Sequence, residues 1–340
     1  MKYWAKINTH VHSLHSDGAD SLLEIARIHK DMGFDGFYIT DHNTCSAMDE
    51  APEIEEKVGV AILSGVEYTT FHGHFISYGE GLLDWTGLDP ESLEEFLEEM
   101  RRGGCLSAIA HYDSIGYPVC TGCRFEFDGE GTDSEILGLF DMMEVWHGER
   151  TLWQANHAVW KSLLDQGRRM TALAGIDSHD SRELKGNAFC NLLRIDPELP
   201  LKEGIWSAMA KGNLIMSLGE SLEIRITRGG REYAMGDTVV LESEDREPLG
   251  VEILMHLPDS GGKHRPFGTY SFAIRSNRGC LAVHRFEPEQ IDPSGCYRWK
   301  GEILPDPGLL WIHAELALED VFSRETRAVG NPVYFAAAAP

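Results

Sequence analysis

Apolar, β-like runs that end in His, Asp or Glu recur through the first two thirds of this chain, and helical stretches alternate with them. The run at residues 2–9 delivers His10 and His12, GFYIT delivers Asp41 and His42, and VAILSGVEYTT carries Glu67. CLSAIA then stops at His111, MMEVW exits at His147, and MTALAG leads to Asp177 and His179. Alternation of this kind argues for α/β architecture, a barrel-like parallel sheet whose strand ends gather potential ligands on one rim. Function is expected on that rim.

The first of these exits is the densest. NTHVHSLHSDG packs His10, His12, His15 and Asp17 into a few positions. In an extended strand residues i and i+2 share a face, so His10 and His12 can present two imidazoles to one ion while Asp17 returns from the loop and Gly18 lets the backbone turn. A lone histidine is more often a satisfied core or surface side chain, and His29 and His157, inside helical patterns, are read that way. Glu67 sits among apolar and hydroxylated neighbours, where a carboxylate is either an unpaired charge or a ligand, and the second reading is the more economical. HGHFISYG follows with His72 and His74, either of which could bind metal.

A chain of 340 residues is long for one domain. The texture changes after Leu218: LEIRIT, GVEILMHL, YSFAIRS and LLWIHAEL are short β-like runs split by turn residues. We therefore expect a domain over residues 1–219 and an antiparallel β-sandwich over 220–340, whose histidines are read as bystanders. The segment 113–133, rich in Gly, Pro and Cys, reads as an insertion lying over the site. Asp20 is expected to cap the first helix, and Asp89 with Pro90 to start the acidic one, whose charge run is a solvated face.

Fifty-five acidic against thirty basic residues give a net charge of −25, which disfavours nucleic acid and anionic membranes as partners. A small anionic substrate would need a local positive site, and divalent metals would supply one. The oligomeric state is left open. The start of the chain lacks an apolar leader, and no run is long enough to span a bilayer, so a cytoplasmic location is expected. Seven scattered cysteines do not form a disulfide framework. Cys120 and Cys123 make a lone CxxC, a weak signal for structural zinc.

The motifs HVHSLHSDG, TDHNT, SGVEYTT with HGHFISYG, IAHYD and GIDSHD, in that order, resemble the metal-binding motifs of the PHP (polymerase and histidinol phosphatase) superfamily. GDTVVL and the closing AVGNPVYF further resemble the appended domain of its CehA/McbA-type metallohydrolases. The resemblance implies a distorted TIM-like (β/α)7 barrel holding two or three divalent ions. By motif, His10, His12, Glu67 and Asp177 would hold the first ion, and Glu67 would bridge to a second held by His74 and His111. Asp17, His42 and His179 would hold a third. Mixed imidazole and carboxylate sets independently suit Zn, Mn or Fe better than Ca or Mg. One departure is His147, where family members often carry Asn after the tryptophan of the EVW motif.

The function so implied is metal-dependent hydrolysis, with a phosphoesterase using a metal-bridging hydroxide on a small phosphate ester as the first expectation. Glu67, Asp177 and His179 form the expected catalytic group. Arg150, Arg182, Lys185 and His147 are candidate substrate contacts, with a solvent-facing charge as the equal alternative for the three cations. A carbamate, amide or ester hydrolase would use the same centre. A non-catalytic metal-binding interaction protein is the third reading.

Overall fold

The computed structural model describes residues 3–112, 136–148, 153–186, 189–242, 247–257, 268–321 and 323–338. The expected insertion at 113–133, with Cys120 and Cys123, and Arg150 fall outside these residues. The fold is mixed α/β with one large sheet. Among the described residues no helix is long and apolar enough to cross a membrane, and Cys45, Cys105, Cys190, Cys280 and Cys296 are free thiols.

The N-terminal strands β1 (Tyr3–Asn8), β2 (Gly36–Ile39) and β3 (Ala61–Thr70) lie parallel and adjacent. Every residue of β2 is buried, which is why its sequence is a continuous apolar run rather than an alternating one. β3 and β4 (Gly73–Tyr78) are separated only by Phe71 and His72. That connection is far too short for the crossover a parallel neighbour requires, so the two form an antiparallel hairpin with Thr69 opposite His74. β5 (Leu106–Ile109) is antiparallel to β4, and parallel pairing then resumes through β6 (Met142–His147) and β7 (Thr171–Gly175). On the other side of β1, β8 (Cys190–Ile195) and β9 (Leu214–Ser217) add antiparallel. The expected all-parallel alternation is thus corrected at β4 and β8, which run against both their neighbours, while β9 returns to the direction of β1.

The edge of β7 away from β6 is finished by side chains. Ala174 donates its N–H to Asn191 Oδ1 at 2.9 Å and accepts from Asn191 Nδ2 at 2.8 Å. Ala172 does the same with Asn331, at 2.7 and 3.0 Å. Each side-chain amide acts as a one-residue strand and satisfies buried backbone groups that would otherwise lie unpaired. Beyond the strand ends, Val11 bridges Ser178 in parallel. His12 N–H reaches Ser178 O and Asp177 N–H reaches His10 O, both at 3.0 Å, so the exits of β1 and β7 meet at one rim.

The helices flank this row. α1 (Leu22–Asp31) is capped by Ser21, whose side chain accepts from Glu24 N–H while Glu24 reaches back, a capping box one residue later than the expected Asp20 cap. α2 is Ala51–Val58. α3 (Leu93–Arg102) buries Leu93, Phe96, Leu97 and Met100 and leaves its glutamates outward. It starts after Pro90 because Asp89 spends its carboxylate on the N–H and hydroxyl of Ser92 in a turn. α4 (Trp153–Asp165), α5 (Ser181–Gly186) and α6 (Leu201–Lys211) complete the set.

Past residue 219 the described elements are strands, apart from one short 3-10 turn at Pro288–Gln290. β10 (Ser221–Arg228), β11 (Arg231–Tyr233), β13 (Leu249–His256) and β16 (Cys296–Ile303), with β12 (Thr238–Leu241), β14 (Thr269–Ser276) and β15 (Gly279–Phe286) between them in sequence, precede β17 (Trp311–Glu319), β18 (Arg324–Gly330) and β19 (Val333–Ala337). β11, β10, β13 and β16 form a four-stranded antiparallel sheet. Leu222, Ile224 and Ile226 of β10 and Val251, Ile253 and Met255 of β13 alternate inward, into a core shared with Phe272, Ile274 and Leu316. The remaining strands continue the large sheet, because β18 pairs with β9. β12 lies parallel to β19, an exception to the antiparallel expectation.

His29, on α1, shows how the fold reaches the rim. It is wholly buried and stacked on Phe37 at 4.2 Å. Its Nδ1–H donates to Ile25 O at 2.8 Å and its Nε2 accepts from Asn8 Nδ2 at 3.0 Å. Asn8 Oδ1 in turn receives the His10 N–H at 3.2 Å. The structural reading of His29 holds, with the addition that it sets the amide next to His10. Burial pushes the imidazole down to about 4. The folded value lies below the unfolded one of about 6.5, so this stabilisation is complete above that pH and is lost as pH falls toward 4. The contribution is on the order of 3 kcal/mol. Denaturant unfolding followed from about pH 7 to about pH 5 is expected to show a shallower pH dependence in His29→Gln than in the parent chain. Identical slopes would refute it.

Candidate metal centre

His10 lies at the exit of β1 and is wholly buried. Its Nδ1–H donates to Glu144 Oε1 at 2.8 Å, which turns Nε2 inward. That nitrogen stands 3.0 Å from His12 Nε2, 3.1 Å from Glu67 Oε2 and 3.2 Å from Asp177 Oδ1. His12 Nε2 completes the set at 3.1 Å from Glu67 Oε2 and 3.0 Å from Asp177 Oδ1. Ligand atoms bound to one ion at about 2.0 to 2.2 Å sit roughly 2.8 to 3.6 Å apart, so these four could share a single cation.

The other oxygen of Glu67 faces a different group. Oε1 lies 3.0 Å from His74 Nδ1 and 2.9 Å from His111 Nε2. A third group opens toward solvent: Asp17 Oδ1 is 3.4 Å from His179 Nε2, and Asp17 Oδ2 is 3.5 Å from His42 Nε2. His12 Nδ1 comes to 3.9 Å of Asp17 and has no hydrogen-bond partner. His42 is shared, since its Nδ1 stands 3.2 Å from Glu67 Oε2. The fold therefore brings His10, His12, Asp17, His42, Glu67, His74, His111, Asp177 and His179 into one cluster; all but His111 fall in overlapping groups of a size and spacing that could hold metal ions, with His42, Glu67 and His74 as one of them, and His111 joins through Glu67 Oε1.

The substrate candidates fare differently. His147 joins the cluster, with Nε2 3.0 Å from Asp177 Oδ2. Arg182 is 90% exposed, and its guanidinium is engaged by the carboxylate of Asp180. Lys185 is exposed on α5. His72 is not one of the residues that converge on Glu67.

Two carboxylates support the cluster without having been singled out as site residues. Glu144, buried in β6, holds His10 through Oε1 and the His111 N–H through Oε2 at 3.0 Å. The signal was present in MMEVW, a carboxylate inside an apolar strand, which is the argument that identified Glu67. Gly175 on β7 faces Glu144 so closely that a Cβ would overlap its carboxylate. Asp41 accepts from the Ser13 N–H, the Ser13 hydroxyl and the Ser16 hydroxyl, each at 2.7 Å, and so fixes the loop between His12 and Asp17. Gly18 is needed there because a Cβ would collide with the His12 carbonyl, not for a special backbone angle. His111 and Asp177 adopt positive φ of 29° and 54°, a strained conformation that aims both side chains inward.

Charge balance follows from burial. Desolvation alone would raise the Glu67 carboxyl, but His10 and hydrogen bonds from His10, His111 and His12 hold it well below the usual carboxylate range. Asp177 is likewise held well down against burial, by His10, His12 and His147. In return, although burial disfavours their charge, the carboxylates raise His10 well above its ordinary value, His12 to about 9, and His111 upward. One buried anion and one partly buried anion thus demand positive charge among the imidazoles, and metal cations meet the same demand.

Residues 8–164 match the PHP domain family model. Over 142 residues the chain is 28% identical to the uncharacterized protein MJ1587 of Methanocaldococcus jannaschii, covering 38% of this chain and 80% of that one. It is similar to the crystal structure of a two-domain protein from Bacteroides vulgatus containing a predicted PHP-like metal-dependent phosphoesterase, with a TM-score of 0.49, 14% identity, and 96% and 95% of the two chains covered. It is also similar to an amidohydrolase from Chromobacterium violaceum with bound sulfate, with a TM-score of 0.42, 16% identity, and 60% and 97% covered.

Because Glu144 touches His10 and His111 rather than the interior of the cluster, Glu144→Gln is expected to keep the fold by circular dichroism while weakening metal affinity about 10- to 100-fold in a chelator competition. Unchanged affinity would remove Glu144 from its positioning role.

Proposed function

We propose that this chain is a metal-dependent hydrolase of the PHP type, of the CehA/McbA-type subfamily, and that it acts as a phosphoesterase on a small anionic phosphate ester in the cytoplasm. The observation that carries the reading is the buried Glu67 carboxylate, whose two oxygens face two different histidine groups, as a bridge between neighbouring ions would. Two to three ions of Zn, Mn or Fe fit the donor set. When bound, they supply Lewis-acid polarisation of the scissile group and a lowered pKa for an attacking water.

The residues of the chain do the placing. Glu67 sets the spacing of the two groups and, with Asp177, keeps negative charge inside. His179, about a third exposed at the mouth, is positioned next to arriving substrate and completes the catalytic group. A cavity of about 680 Å³ opens beside the cluster, lined by His147, Trp146, Phe189 and Arg275 among others, a volume suited to a small molecule. We place substrate binding there, with His147 as the contact nearest Asp177 and with Arg182 and Lys185 at the periphery. Arg182 would have to leave Asp180 to clamp a phosphate.

The meeting of the β1 and β7 exits, together with the Asn191 amide on β7, supports reading β1–β9 as a distorted barrel of the (β/α)7 type. On that reading residues 1–219 form the hydrolase domain, and residues 220–340 form a β-sandwich domain built onto its sheet.

Glu67→Gln keeps the shape of the side chain and removes its charge. With metal-replete protein, hydrolysis of phosphomonoesters, phosphodiesters, aryl carbamates and amides is to be measured in parallel. Turnover is expected on a phosphate ester and should fall by about a hundredfold or more in Glu67→Gln. Turnover confined to carbamates or amides would shift the reading to C–N or ester hydrolysis, and undiminished activity in Glu67→Gln would overturn the bridging role.

A further inference from the structure

A second convergence of ligand-type side chains lies outside this cluster. His313 and Glu315 are i and i+2 on β17 and so point to one face of the strand, and His157 comes down on them from α4. One donor atom from each lies close enough to the others to surround a single ion. His157 Nε2 is 3.7 Å and His313 Nε2 3.6 Å from the same oxygen, Oε1 of Glu315. Those separations are too long for hydrogen bonds. They are close to the spacing of about 3.4 Å between ligands held tetrahedrally at about 2.1 Å from a metal.

The surroundings favour a ligand over a packing role. His313 is wholly buried, its Nε2 has no hydrogen-bond partner among the described residues, and the Gly330 backbone is the one group that acts on the ring by hydrogen bonding. Three tryptophan contacts make the site rigid: Trp160 lies 5.5 Å from the His157 ring and 5.2 Å from the His313 ring, and Trp311 lies 5.3 Å from His313. Trp311 Nε1–H also donates to Asp165 Oδ1 at 2.9 Å and pins α4 to β17. The second carboxylate oxygen, Oε2 of Glu315, is held by Arg275 Nε at 3.3 Å, which leaves Oε1 turned to the histidines.

We propose that His157, His313 and Glu315 form a mononuclear binding site for a zinc-like transition-metal ion, distinct from the Glu67 cluster. Glu315 also lines the 680 Å³ cavity, which gives an ion a path in and room for water or a small ligand at the open position. Burial first, and then Lys161 and Arg275 for His313 and the neighbouring His313 ring with the same cations for His157, push both imidazoles down to about 3, so they are neutral and ready to coordinate at ordinary pH. The same cations, Arg275 and Lys161, disfavour hard ions such as Mg²⁺ or Ca²⁺, which depend on carboxylate charge. They select for ions with affinity for imidazole nitrogen.

The test uses the full chain, stripped with chelator and reloaded with Zn²⁺ or Co²⁺, with ions per chain counted by elemental analysis. His157→Gln and Glu315→Gln are each expected to bind one ion fewer than the parent, and the Co²⁺ protein to lose part of its visible absorption. Asp177→Asn should lose metal from the Glu67 cluster and keep this ion, so failure of the hydrolase reading and failure of this one are distinguishable. His157 is at the edge of the site and Glu315→Gln conserves volume, so should one variant fail to fold by circular dichroism the other decides. Parental stoichiometry in a folded variant of either residue would overturn the proposal.

Discussion

A carboxylate with no exposure to water cannot stay ionised without close positive partners. Glu67 is such a group, and His10, His12, His42, His74 and His111 all bring a ring nitrogen within 3.2 Å of it. Much of the architecture of the rim answers this demand. β3 places Glu67 centrally, its hairpin with β4 returns His74 to the same carboxylate, and β1 and β5 deliver the remaining rings from either side. Asp177 makes a second demand of the same sign from β7, and the strained backbone there and at His111 is held in place by the density of these contacts.

Around the cluster lie residues that hold its side chains and the loops carrying them. Glu144 orients His10 and secures the backbone at His111. His29 fixes Asn8, and Asn8 fixes the His10 N–H. Asp41 pins the loop that carries Asp17. Such arrangements keep imidazoles in one tautomer and one orientation, which matters because an off-line lone pair binds metal poorly.

The C-terminal strands take part in the same molecule rather than hanging from it. β18 extends the sheet from β9, and Asn331 satisfies the backbone of β7 three residues before the strand ends. Arg275 and Glu315 from these strands line the cavity shared with His147. The histidines of this half look incidental in sequence; His313 is nonetheless wholly buried and stands beside His157 of α4 and Glu315 of β17.

What the sequence determined by itself is local. Apolar runs, residue types at strand exits and the i, i+2 spacing of His10 with His12 and of Asp177 with His179 depend on neighbours in the chain, so most of the strands and helices and the residues that cluster at the rim could be read directly, whereas β11, β16 and β18, with polar or charged residues throughout, gave no apolar run to read. Helix starts at Ser21 and Ser92 slipped by a few residues because side-chain capping and a turn at Asp89, not hydrophobic period, set them. The tertiary structure decided what depends on distant partners: the reversed strands β4 and β8, the role of Glu144, and the pairing of the exposed Arg182 with Asp180 rather than with the rim. It also brought His157 to His313 and Glu315 from more than a hundred residues away. Periodicity reports which face a side chain takes, but only the completed packing reports what stands opposite that face, and coordination and electrostatics depend on the second.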